Sequence, residues 1–120
     1  MLNFGHTIGN GLELSAEYQL THGEAIAIGM VAATLLARGL GMVDAEFERR
    51  LRGLIERAGL PTSFAGHADL FERVVRAMQM DKKFREGRNV FVLPTRVGAW
   101  RQMENVDWGL VHDAIRAVLA

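Results

Sequence analysis

The sequence predicts a mainly α fold, one helical domain of about five helices carrying a single small β-hairpin. Three observations lead there. Apolar residues recur at three- and four-residue spacing along most of the chain. Capping residues stand before the best-marked runs, at Thr21, Asp44 and Asp107. Only the stretch around residues 89–103 is punctuated like a pair of strands. With 120 residues, 49% of them apolar, the chain suits one hydrophobic core and hardly two, so residues 1–120 are read as a single domain.

The first helix is expected from about Gly5 to Tyr18, although Gly9 and Gly11 weaken it by about 1 kcal/mol each relative to alanine. Glycines retained in a helix suggest close packing. The second is better marked. Thr21 is its N-cap and Glu24 its N3 residue, a capping box, and from Ala25 to Ala37 only Gly29 and Thr34 interrupt an apolar run. Such a helix is buried on nearly every side and central. Gly39 and Gly41 stop it. Asp44 starts a third helix with Phe47, Leu51, Leu54, Ile55 and Ala58 on one face and charged residues elsewhere, amphipathic and superficial, ended by Gly59-Leu60-Pro61. A fourth, from about Ala68 to Met80, repeats Leu70, Phe71, Val74, Val75 and Met78. Asn89 to Pro94 reads as a strand, Thr95 to Gly98 as a turn and Ala99 to Met103 as the return strand, a hairpin that needs helices behind it. Asp107 caps a last helix with Val111, Ile115 and Val118 inward.

Composition removes several functions. Fourteen basic and fourteen acidic side chains cancel, leaving no global electrostatic case for nucleic acid or an anionic membrane. Without cysteine there is no disulfide framework, thiolate metal site or cysteine nucleophile. No signal-peptide pattern and no apolar run of roughly 20 residues is visible, which predicts a cytoplasmic protein outside the membrane.

Two histidines stand out, His6 in Gly5-His6-Thr7 and His22 in Thr21-His22-Gly23-Glu24, each at an expected helix start beside glycine. The positive end of a helix disfavours imidazolium and keeps a lone pair available to a divalent ion. A capping or surface role accounts for either equally well. Consecutive antiparallel helices would also put the two starts at opposite ends, unless the first helix is short or residues 14–20 form a loop. Two imidazoles leave a metal site incomplete. Glu24 is explained by capping, and Glu13 by solvation or an ion pair, as readily as by ligation. Lys82, Lys83, Arg85 and Arg88 form the chain's basic locus, either a solvated face or a phosphate clamp. His67 and His112 read as surface or helix-terminal groups, and Trp108 as a packing group.

The motifs Leu2-Asn3-Phe4-Gly5-His6-Thr7-Ile8-Gly9 with Leu12-Glu13, His22-Gly23-Glu24-Ala25-Ile26-Ala27-Ile28-Gly29-Met30, Gly59-Leu60-Pro61, Asp81-Lys82-Lys83 and Val92-Leu93-Pro94-Thr95-Arg96-Val97-Gly98 resemble, in this order, the C-terminal half of 3-dehydroquinate synthases. The resemblance covers essentially the whole chain. It implies a dehydroquinate-synthase-like helical domain that normally follows an NAD-binding domain, with the active site in the cleft between them. It implies His6 and His22 as two ligands of zinc or cobalt, the third being a glutamate from a region not in this chain. It further implies Asn3, Lys82 and Lys83 as substrate contacts. The family's reaction is an NAD-dependent, phosphate-eliminating cyclisation of a heptulosonate phosphate, a lyase step of the shikimate pathway.

Residue 10 departs from that pattern. A second histidine of the family motif is Asn10 here, an amide in a catalytic position that cannot carry a proton near neutral pH. NAD is expected only with the N-terminal domain, and the isolated chain is expected to be inactive. Three readings stay open: a dehydroquinate synthase part working with an N-terminal partner chain, another sugar-phosphate cyclase or metal-dependent polyol dehydrogenase fragment, or a non-catalytic helical module that pairs with itself.

Overall fold

The computed structural model describes residues 8–9, 12–13, 20–65, 70–79, 90–96, 99–104 and 106–119. Four helices and one hairpin have defined bounds among them: α1 (His22–Gly39), α2 (Ala45–Arg57), α3 (Leu70–Gln79), β1 (Val90–Arg96), β2 (Ala99–Glu104) and α4 (Trp108–Val118). Residues 8–9 and 12–13 are helical as well. The fold is mainly α, as expected, and α1 is central: it packs against α2, β1 and α4, while α3 packs against α4.

Helix α1 forms because Thr21 satisfies its first orphan amides. The Thr21 hydroxyl accepts from Glu24 N at 3.1 Å and the Glu24 carboxylate accepts from Thr21 N at 2.9 Å. Beyond that turn there is no polar face. Ala25, Ala27, Ile28, Val31, Ala32, Ala33, Leu36 and Ala37 are all buried. The buried Thr34 hydroxyl donates to Met30 O at 2.8 Å, so this polar group is not left bare in the core. Helices α1 and α2 end alike. Gly41 and Gly59 take φ of 75° and 77°, and the next residues reach back, Met42 N to Ala37 O at 2.9 Å and Leu60 N to Ile55 O at 3.1 Å. These are Schellman ends, which require the left-handed conformation that glycine adopts without a Cβ clash.

Helix α2 is superficial. Ile55 is its buried residue, and Leu54, expected on the inner face, is 61% exposed. Ala58 is exposed too. The helix makes glancing contact, so the buried stripe is narrower than the apolar one. Helices α3 and α4 follow their expected stripes, with Leu70, Val74 and Met78 facing Val111, Ile115 and Val118 in one core. The hairpin is antiparallel with Leu93 opposite Arg101. Its turn is tighter than expected: Thr95 and Arg96 belong to β1, and an irregularity between Pro94 and Arg96 adjusts the register.

Residues 8–9 and 12–13 lie against the start of α1. Ile8 and Leu12 are buried, and a Cβ on Gly9 would stand 2.8 Å from Ile26 Cδ1 and 3.0 Å from both Ala25 O and Ile26 Cα. Two of those neighbours are backbone and cannot turn aside. Gly9→Ala is therefore expected to lower stability by about 1–2 kcal/mol despite alanine's better helix propensity. Gly23→Ala, with nothing within 4 Å of the added methyl, should be neutral or stabilising by up to about 1 kcal/mol. Parallel urea unfolding curves check the pair.

Glu48 ties α2 to α1, accepting from Arg38 at 2.8 Å and from Arg52 at 3.0 Å. Partial burial pushes its carboxyl up, but the Arg38 and Arg52 hydrogen bonds and charges together outweigh this and hold it below the ordinary 4.5. A carboxyl depressed on folding stabilises above its unfolded pKa, and the contribution disappears as pH falls through the folded value. Glu48→Gln should cost at most about 1 kcal/mol at neutral pH, and the gap from wild type should narrow as the pH falls below the ordinary 4.5 in thermal melts at stepped pH.

Candidate functional site

His22 is the first residue of α1, held by the capping box immediately before it and by the buried rod behind it. Its ring is on the surface, with the side chain 61% exposed. The helical stretch around residue 13 brings a carboxylate onto it: Glu13 Oε1 lies 2.8 Å from His22 Nδ1, and the Glu13 side chain is 36% exposed. Residue 9 meets residues 25 and 26 while residue 13 meets residue 22, so the two stretches pass in opposite directions in close contact. Residues 14–19, where a loop into α1 is one expectation, lie outside the described residues.

Five of the six candidate site residues, Asn3, His6, Asn10, Lys82 and Lys83, lie outside the described residues, as does His67. Among the described residues no group of three histidine and carboxylate side chains is gathered as a metal cage. Glu24 is spent on the cap, as its spacing suggests. Glu13 is the partner that reasoning from the sequence left undecided. Its helical spacing from Ile8 and Leu12 is local, but its contact with a residue nine positions away is not.

His112 differs from its expectation. It lies within α4 and half-buried, its ring 5.5 Å from Phe71 and nearly perpendicular to it, and 5.9 Å from Trp108. The Arg116 guanidinium covers Phe71 at 4.4 Å. This cluster joins α3 to α4. A cleft of about 510 Å³ lined by Met42, Val43, Asp44, Phe47, Arg50 and Thr95 lies beyond the C-terminal end of α1. An 18-residue helix is about 27 Å long, so this cleft and His22 belong to opposite ends of the molecule. No described helix is long and apolar enough to cross a membrane.

Comparison with known proteins matches residues 1–84 to the family described as 3-dehydroquinate synthase C-terminal. The chain belongs to that family. A 3-dehydroquinate synthase of Nostoc punctiforme is 44% identical over 120 residues, 99% of this chain and 32% of its own length. One from Corynebacterium efficiens is 36% identical over 118 residues, again 32% of its length. The chain thus spans about a third of these curated relatives. Among solved structures, 2-deoxy-scyllo-inosose synthase complexed with carbaglucose-6-phosphate, NAD+ and Co2+ superposes with a TM-score of 0.85 at 25% identity, covering 98% of this chain and 34% of that one. The 2-epi-5-epi-valiolone synthase of Streptomyces hygroscopicus, with NAD+ and Zn2+ bound, gives 0.80 at 24% identity over 97% of this chain and 32% of that one, a likeness of fold.

Because the cap sets the approach to His22, Thr21→Ala is expected to cost about 1 kcal/mol and to fray the first turn of α1. Amide hydrogen exchange at residues 23–25 should accelerate while exchange in the buried middle of α1 stays slow.

Proposed function

We propose that this chain is the metal- and substrate-binding part of a 3-dehydroquinate synthase, in which a heptulosonate phosphate loses phosphate and cyclises. The observation that carries the reading is the family match over residues 1–84, with dehydroquinate synthases among the relatives at 44% identity. His6 and His22 hold the divalent ion, and a glutamate from an N-terminal nucleotide-binding domain finishes the coordination. The residues present suit such an ion: an exposed imidazole on the first turn of α1 is an ordinary ligand for a divalent cation, and Glu13 takes up Nδ1. When bound, zinc or cobalt supplies Lewis acidity to a hydroxyl or carbonyl oxygen.

The chain's own residues do the positioning. Asn3 orients substrate, Lys82 and Lys83 balance its phosphate and carboxylate charge, and Asn10 donates or accepts hydrogen bonds without moving a proton. NAD is a different case. The solved neighbours carry NAD+ in chains of which this one covers about a third, and hydride chemistry is assigned to the N-terminal partner domain. Cytoplasmic location accords with this role. A second reading, a related cyclase of the inosose or valiolone kind, is favoured by the two solved neighbours and by Asn10. Supplying the complete enzyme with each substrate class in turn separates the two.

Calorimetric zinc titration of the 120-residue chain should show weak binding that disappears in His6→Ala and in His22→Ala. Phosphate release from the heptulosonate phosphate with added NAD should be absent for the chain alone and appear once the N-terminal domain is restored. Zinc binding unchanged by both histidine variants would overturn the metal assignment, and steady turnover by the chain alone would overturn the division of labour.

A further inference from the structure

The contact between Glu13 and His22 is more than a surface ion pair requires. Ion pairs between solvent-exposed side chains stabilise by roughly 0–1 kcal/mol, and both members here are substantially exposed. The backbone around it is nevertheless tightly determined. Gly9 meets Ala25 and Ile26 of α1 at backbone distance, and Ile8 and Leu12 are buried at 2% and 1% exposure. Glu13, one step beyond Leu12, is thereby carried to the His22 ring at 2.8 Å.

The chemistry of the contact is directional. An ionised carboxylate only accepts, so Nδ1 must carry the hydrogen, and the lone pair of the neutral ring then sits on Nε2. We propose that Glu13 is a positioning residue for His22: it selects the tautomer and ring orientation that present Nε2 as the ligating nitrogen. This inference rests on the reading of His22 as a metal ligand. Carboxylates bonded to the second nitrogen of a ligating histidine commonly act so, and their loss weakens metal binding about 10- to 100-fold.

Two measurements on the 120-residue chain test it. Ring ¹⁵N shifts of His22 in the metal-free protein, at a pH where the imidazole is neutral, should show the Nδ1–H form in wild type and a shift toward Nε2–H in Glu13→Ala. Zinc affinity should fall about 10- to 100-fold in Glu13→Ala and less in Glu13→Gln, whose amide oxygen still accepts from Nδ1. Glu24→Gln, a change two residues along α1, should leave the tautomer as in wild type. An Nε2–H ring in wild type, or equal zinc affinity in wild type and Glu13→Ala, overturns the inference while leaving His22 a ligand. A wild-type chain that takes no zinc removes the metal reading itself and this inference with it.

Discussion

Burial of α1 on nearly every side is the constraint that organises the molecule. A helix with no solvated face cannot persist in water by itself, because isolated helices of this length are marginal and its side chains gain only when apolar surface is removed from solvent. Helices α2 and α4, strand β1 and the residues around Gly9 that are described act as its cover. The interior polar group that this arrangement traps, the Thr34 hydroxyl, turns back onto its own helix. With the flanks of α1 enclosed, chemistry can reach it chiefly at the ends.

The two ends differ in kind. At the C-terminal end the chain turns sharply through Gly41 and is pinned by the Glu48 bridge to Arg38, a structural corner. At the N-terminal end the backbone amides point outward, the capping box orders the first turn, and His22 projects from a rod that cannot shift without disturbing the core. A ligand held on such a support loses little orientation freedom on binding. The Glu13 carboxylate meets the ring at Nδ1, 2.8 Å away. Rigid support of this kind is what the proposed role of His22 calls for.

Much of this was legible in the residues. Thr21 with Glu24, Asp44 and Asp107 marked three helix starts, and Gly41 and Gly59 lie just past two helix ends, because caps and stops act within one turn of chain. The inner residues of α3 and α4 followed from spacing alone. Leu54 and Ala58 did not, since periodicity shows where an apolar stripe runs but not how wide a neighbour covers it. Thr95 and Arg96 went to the turn for a similar reason: the register at Pro94 is set by the partner strand. His22 was legible as a candidate through its motif, while Glu13 remained ambiguous among ligand, ion pair and solvated residue.

By itself the sequence determined the four helices bounded among the described residues, where three of them are capped, that one is apolar all round, and which family the chain joins. Each of these depends on neighbours along the chain or on local patterns. Only the tertiary structure decided that residue 13 meets residue 22, that His112 sits between Phe71 and Trp108, and that Leu54 stays in solvent. Those outcomes depend on how separately specified elements share space around one buried helix, and through-space distance leaves no periodic mark in the order of the residues.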